Sequence, residues 1–180
     1  PLGSNTEAYG INDNGVVAGW YSVRQNYPNG HGFTYNAGSF TVIDAPDSSG
    51  AYGGTFVRGL NNSGSVIGDY HSVSSGKDLG FIYNGSSYTT IDATSLNFNR
   101  STMTSPAAVN DNGQVVGNLT DYATGAKQGF LYNAGSLSII AAPGATFTTV
   151  NGINNAGLIV GSLRDNSNTL HGYVFDGNTF

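Results

Sequence analysis

The sequence predicts an all-β fold, a β-propeller-like array of four four-stranded antiparallel blades with the last blade incomplete. Three observations predict it. One signal recurs four times: Ile11-Asn12-Asp13-Asn14-Gly15, Leu60-Asn61-Asn62-Ser63-Gly64, Val109-Asn110-Asp111-Asn112-Gly113 and Ile153-Asn154-Asn155-Ala156-Gly157, with starts 49, 49 and 44 residues apart. A period of this size marks a repeat architecture, in which each unit buries its faces against its neighbours. Each copy also holds room for four short strands, the content of a propeller blade. Finally, Glu, Lys and Met are nearly absent while Gly, Asn, Ser and Thr abound, which disfavours helix longer than a turn or two.

The second repeat shows the elements most clearly. Thr55 to Asn61 reads as a strand of β-branched and aromatic residues. Asn62-Ser63-Gly64 turns, with glycine supplying the positive φ of a tight hairpin. Ser65 to His71 is the second strand, and Ser72 to Asp78 a polar loop. Gly80 to Asn84 is the third strand and Tyr88 to Asp92 the fourth, joined by Gly85-Ser86. A long connection, 93–104, then leads to the next repeat, as do 45–54 and 142–147 elsewhere. In the first repeat the opening strand reads as Glu7 to Asn12, and the last repeat stops at Phe180, early in a fourth strand.

The copies align position by position. Val17, Val66, Val115 and Ile159 share a site, and two residues on Gly19, Gly68, Gly117 and Gly161 coincide. The third strand carries Phe33 and Tyr35, Phe81 and Tyr83, Phe130 and Tyr132, Tyr173 and Phe175, each pair on one face by the period of two. Ile82, Leu131 and Val174 occupy the other face. The fourth strand carries Phe40, Tyr88, Leu137 and Phe180, then Ile43, Ile91 and Ile140. Middle strands apolar on both faces belong to sheets covered on both sides. The shared glycine reads as a place where an adjacent sheet or ring approaches closely. Pro1-Leu2-Gly3-Ser4 has the look of a tag-removal scar, leaving one repeat domain over 5–180 with repeats at approximately 5–46, 47–94, 95–143 and 144–180.

The pattern Gly10-Ile11-Asn12, Val17-Ala18-Gly19-Trp20-Tyr21, His31-Gly32-Phe33-Thr34-Tyr35 and Phe40-Thr41-Val42-Ile43-Asp44-Ala45-Pro46 resembles the bacterial extracellular HAF repeat family. The resemblance spans residues 9 to 180 in four copies. It implies a secreted or cell-surface bacterial protein whose molecular function is unassigned. His31 and His171 match the family's histidine, whereas Leu79 and Gln128 replace it; Asp44 and Asp92 match, whereas Ala141 does not.

Composition removes several classes of function. Six Lys and Arg against eleven Asp and Glu give a net charge of −5, which argues against nucleic acid. No apolar run has the length of a membrane span. The lack of cysteine removes disulfides, a thiol nucleophile and Cys-ligated zinc. The Asn-Asp-Asn-Gly segments read as turns rather than calcium loops, since no closing acidic residue follows. His31 and His171 would be neighbours only if four blades closed on themselves. No metal, cofactor or catalytic residue is assigned.

The chemistry outside the consensus lies in the loops joining strands two to three and four to one, which emerge on one face of a propeller. These loops hold Arg24, Lys77, Arg100, Lys127 and Arg164, together with Tyr27, Tyr52, Phe98 and Tyr122, and Asp47, Asp78, Asp121 and Asp165. Variable loops on a rigid scaffold are where binding residues sit. The expected contact surface is Arg24, Tyr27, Tyr52, Lys77, Arg100, Tyr122 and Lys127. The expectation is a non-enzymatic module that binds a glycan or a surface protein. The alternatives are a structural spacer in a larger extracellular protein and a propeller-type glycoside hydrolase. A homo-oligomer completing a larger ring is a further expected arrangement.

Overall fold

The computed structural model describes residues 5–23, 30–48, 53–96 and 102–180, and among these it is built almost wholly of strands. The first repeat forms β1 (Asn5–Ile11), β2 (Val17–Ser22), β3 (Gly30–Asn36) and β4 (Ser39–Ile43). The second forms β5 (Thr55–Leu60), β6 (Val66–Ser72), β7 (Lys77–Tyr83) and β8 (Tyr88–Ile91). The third forms β9 (Thr102–Val109), β10 (Val115–Asp121), β11 (Lys127–Asn133) and β12 (Ser136–Ile140). The fourth forms β13 (Phe147–Ile153), β14 (Ile159–Arg164) and β15 (Leu170–Phe175). Each repeat is its own antiparallel sheet in sequence order, three sheets of four strands and a last one of three. Among the described residues the one helical element is the single 3-10 turn Ala93–Leu96, and no helix is long and apolar enough to cross a membrane.

The Asn-x-x-Gly turns are what the sequence demands. Gly15, Gly64, Gly113 and Gly157 all have φ between 76° and 84°. The first Asn of each turn folds its side chain back on the backbone: Asn12 Oδ1 accepts from the amides of Asn14 and Val16 at 3.1 and 3.0 Å. The strand limits differ modestly from the sequence reading. The connection expected over 93–104 ends earlier, because Thr102 to Thr104 already pair with β10. Third strands begin sooner than Gly80, since the polar Lys77 and Asp78 still pair with Ser72 and His71.

The shared glycine of the second strand is a place of close approach by a ring, as the sequence predicts, but the ring and the crowding carbonyl belong to its own sheet and not to a neighbouring one. A Cβ on Gly68 would meet the Phe56 carbonyl and the Phe81 ring, and one on Gly117 the Ser105 carbonyl and the Phe130 ring. The cause is a β-bulge in every inner strand. Pairing skips one residue between Ala8 and Gly10, between Val57 and Gly59, between Pro106 and Ala108, and between Val150 and Gly152. The carbonyl two residues before each bulged residue crowds the glycine opposite, and the residue in the bulge is thrown out of the ladder.

Among the described residues the apolar side chains form no common core. Three separate apolar clusters lie one at each joint between successive sheets. Ala18, Ile43 and Ala45 meet Val57, Val66 and Phe81. Ile67, Ile91 and Ala93 meet Val115, Leu119 and Phe130. Val116 and Ile140 meet Val150 and Ile159. Each inner sheet is thus apolar on both faces, as the sequence predicts. The inner strands pack in series, β1 on β5, β5 on β9 and β9 on β13, while β13 has no matching packing against β1. Among the described residues the sheets form no closed ring. His31 pairs with Asp44 at 2.9 Å and His171 with Asp165 at 2.9 Å, each within its own repeat.

Candidate functional site

Among the described residues, parts of the connections after strands two and four meet on one face. Asp47, in the connection after β4, accepts from the Ser72 and Ser74 hydroxyls, both at 2.6 Å, and Val73 donates its amide to the Asp47 carbonyl. These bonds hold the Asp47 carboxyl below its ordinary range. On the same face the Thr146 amide donates to the Arg164 carbonyl at 2.7 Å.

A cleft of about 220 Å³ opens there between the second and third repeats. Its lining includes Phe56 and Arg58 of β5, Asp69, Tyr70 and His71 of β6, Asp78 of β7, and Met103 and Tyr122 from the third repeat. Two polar groupings face it. Arg58 Nε donates to Asp69 Oδ1 at 2.7 Å and Nη2 to Oδ2 at 3.3 Å. His71 Nδ1 lies 2.8 Å from Asp78 Oδ1, and the other oxygen of Asp78 accepts from the Tyr122 hydroxyl at 3.1 Å.

The bulge explains Arg58. Its equivalents in the other repeats are Tyr9, Ala107 and Asn151, all skipped in the strand pairing. Extruded from the ladder, the guanidinium reaches Asp69 and lies over the rings of Tyr9 and Phe56, 5.5 and 5.8 Å from their centroids. Asp69 itself is buried, at a position where the other sheets carry Trp20, Asn118 and Ser162. Burial pushes its carboxyl above the ordinary range, and Arg58 offsets that only in part. Burial draws the Arg58 guanidinium down, but Asp69 and Tyr9 outweigh it and leave it raised. Burial first, then the charge of Asp78, pushes the Tyr122 hydroxyl up to about 12, so it stays a hydrogen-bond donor at neutral pH.

The sequence-predicted surface is only partly gathered. Arg24, Tyr27, Tyr52 and Arg100, like Phe98, lie outside the described residues. Tyr122 is 59% exposed and forms one wall of the cleft. Lys77 sits at the start of β7 and donates to Asp92 at 3.1 Å, which ties it to its own sheet. Lys127 is exposed at the start of β11, paired across the ladder with Thr120. Sequence reasoning missed Arg58, Asp69 and Phe56. One signal could have found them: a charged pair placed inside two strands where the other copies carry no such pair.

No family model matches the chain, and no curated protein does. Among solved structures the chain is similar to a Hadza microbial sialidase, Hz136, at 12% identity with a TM-score of 0.53. That match covers 96% of this chain and 44% of the sialidase chain, so this chain spans less than half of that structure. At such identity the likeness is one of fold: four antiparallel sheets arranged as in part of a β-propeller.

Proposed function

We propose that the four sheets are blades of a secreted or cell-surface propeller module that binds a neutral glycan at the cleft between the second and third blades. One observation carries the reading: the cleft joins aromatic walls, Phe56 and Tyr122, to paired hydrogen-bonding groups. Sugars present apolar ring faces and a rim of hydroxyls, and a small concave site with a few placed polar groups suits them. Charge narrows the class. Asp69 and Asp78 outnumber the one cation, Arg58, which is already committed to Asp69. Among the described residues an anionic ligand would meet net repulsion and no free guanidinium, so uncharged sugars fit better.

The reading is tested by titrating neutral oligosaccharides into the chain calorimetrically, after a glycan array has chosen them. Tyr122→Ala and Asp78→Asn should abolish binding with the melting temperature nearly unchanged. If no glycan binds, or if both variants bind as the parent does, the reading fails. A second reading, glycoside hydrolysis, draws on the two carboxyl groups of the cleft and on the likeness of fold to a sialidase. Turnover of a chromogenic glycoside, lost in Asp69→Asn and Asp78→Asn, would put that reading first.

A further inference from the structure

The three joints between sheets are built alike, and each has a direction. The forward face of one sheet offers an apolar residue in the second strand: Ala18, Ile67 and Val116, all fully buried. It also offers a socket at a glycine in the third strand. A Cβ on Gly32 would meet Val57 at 2.7 Å, one on Gly80 Pro106 at 3.0 Å, and one on Gly129 Val150 at 2.5 Å. The rear face of the following sheet supplies that plug. It also supplies a buried threonine, Thr55, Thr104 or Thr148, and Thr55 and Thr148 accept from the amides of Ala45 and Ala142. Asparagine side chains clasp each joint at its turn end. Asn12 Nδ2 donates to the Asn61 carbonyl, Asn61 to Asn110, and Asn110 to Asn154, at 3.1, 2.9 and 2.9 Å.

Both halves of a fourth joint are present and unmatched. On the forward face of the fourth sheet, Val160 is 46% exposed where Ile67 and Val116 are fully covered. Gly172 keeps the socket, yet a Cβ there meets nothing closer than the Gly161 carbonyl at 4.0 Å. Among the described residues the Asn154 amide nitrogen has no acceptor in a following turn. On the rear face of the first sheet, Thr6 and Ala8, the counterparts of the threonine and the plug, are exposed. Ile11 is 70% exposed where Leu60, Val109 and Ile153 are partly covered.

We propose that a second copy of this chain occupies these faces, its first sheet docking on the fourth sheet as each sheet docks on the one before. The occupant follows from continuity. The free faces are the two halves of a joint that the chain already makes three times, with the same socket, the same threonine and the same clasp. Such a contact is heterologous, and repetition closes it into a ring or extends it as a filament.

Light scattering on the 180-residue chain across a wide concentration range tests this. Species larger than a monomer should form as concentration rises. Gly172→Leu fills the socket from the forward side, and Ala8→Arg spoils the plug from the rear; both positions are open, so both variants should melt as the parent does. Each variant alone should be monomeric, because each lacks one half of the joint. Mixed in equal amounts they should form a one-to-one dimer, since one intact half remains on each. A parent chain that stays monomeric throughout overturns the proposal. So does a variant that self-associates as the parent does, which would mean a two-fold contact, or a mixture that stays monomeric.

Discussion

The second and fourth repeats share their first three strands and the same turn, the second adding a fourth strand, yet they stand in different surroundings. Ile67 in the second is fully buried against the third sheet, while Val160, its counterpart in the fourth, is nearly half exposed. Gly80 is pressed by Pro106, while Gly172 faces open space. Val160 pairs with Val174 across the ladder as Ile67 pairs with Ile82, so pairing alone does not account for the difference in burial. Stability in this chain resides in the joints, as nearest-neighbour coupling in a repeat protein requires. The candidate cleft also lies at a joint, so the surface that would bind a ligand is made by two repeats and by neither alone.

The largest test of that comparison is in the second repeat. Phe81 is fully buried, lying over Gly68 and against Tyr70 and Tyr88. Phe81→Ala should cost about 3–5 kcal/mol by urea denaturation. Ile67→Ala, on the opposite face, should cost about 2–5 kcal/mol. Val160→Ala should stay within about half a kcal/mol when measured on the monomeric chain. Equal losses at Ile67 and Val160 would mean that the fourth sheet is covered after all, and the contrast would break.

The asparagines give a finer contrast. Asn61 accepts from the Ser65 amide and the Ser63 hydroxyl, and it donates to the Asn110 carbonyl of the next repeat. Asn154 accepts from the Ala156 and Leu158 amides within its own turn. Replacing either with Ala loses the turn bonds, but only Asn61→Ala also loses a clasp to the next repeat, the Asn110 carbonyl keeping the Gly113 amide alone. Asn61→Ala should therefore be the more destabilising by about 1 kcal/mol. A difference near zero would show that the clasps follow from packing and add nothing to it.

Local chemistry was legible in the sequence, and contacts between repeats were not. The turns could be read because Asn and Gly are required there by backbone geometry, and the aromatic pairs because strand period alone places them. The role of Asn12, Asn61 and Asn110 as clasps was missed. It depends on residues 44 to 49 positions apart meeting at one end of the inner strands. The segments that read only as turns are therefore also where the repeats are joined. Arg58 was missed for a related reason. Its position is variable among the copies, and nothing in one strand reveals the bulge that turns its side chain toward Asp69. Tyr122 and Asp78 were legible as loop residues, but their meeting across two repeats needed the three-dimensional fold.

The smallest expected effect concerns acid. Asp111 accepts from the Asn62 amide and from the Asn62 and Asn155 side chains, so it ties the second repeat to the third and the third to the fourth. Those bonds hold its carboxyl below the ordinary 3.8, and the serine hydroxyls do the same for Asp47. A carboxyl depressed in the folded state contributes stability above its unfolded value and loses it as pH falls through the folded one. The stability that these carboxyls contribute should thus be level from neutral pH to about pH 5 and decline below about pH 4, read as the difference in melting temperature between the parent and the variants. Asp111→Asn should lower the melting temperature slightly at neutral pH and make the acid decline shallower. Asp176 is also depressed, by the Thr179 and Asn178 amides, but it serves one terminal turn. Protonating it frays an end, and local fraying is weakly coupled to global unfolding. Asp176→Asn should therefore leave the acid decline almost as steep as in the parent. If the two variants flatten it equally, the joints hold no special share of the acid sensitivity, and the distinction between joint and end fails for charged contacts even if it stands for apolar ones.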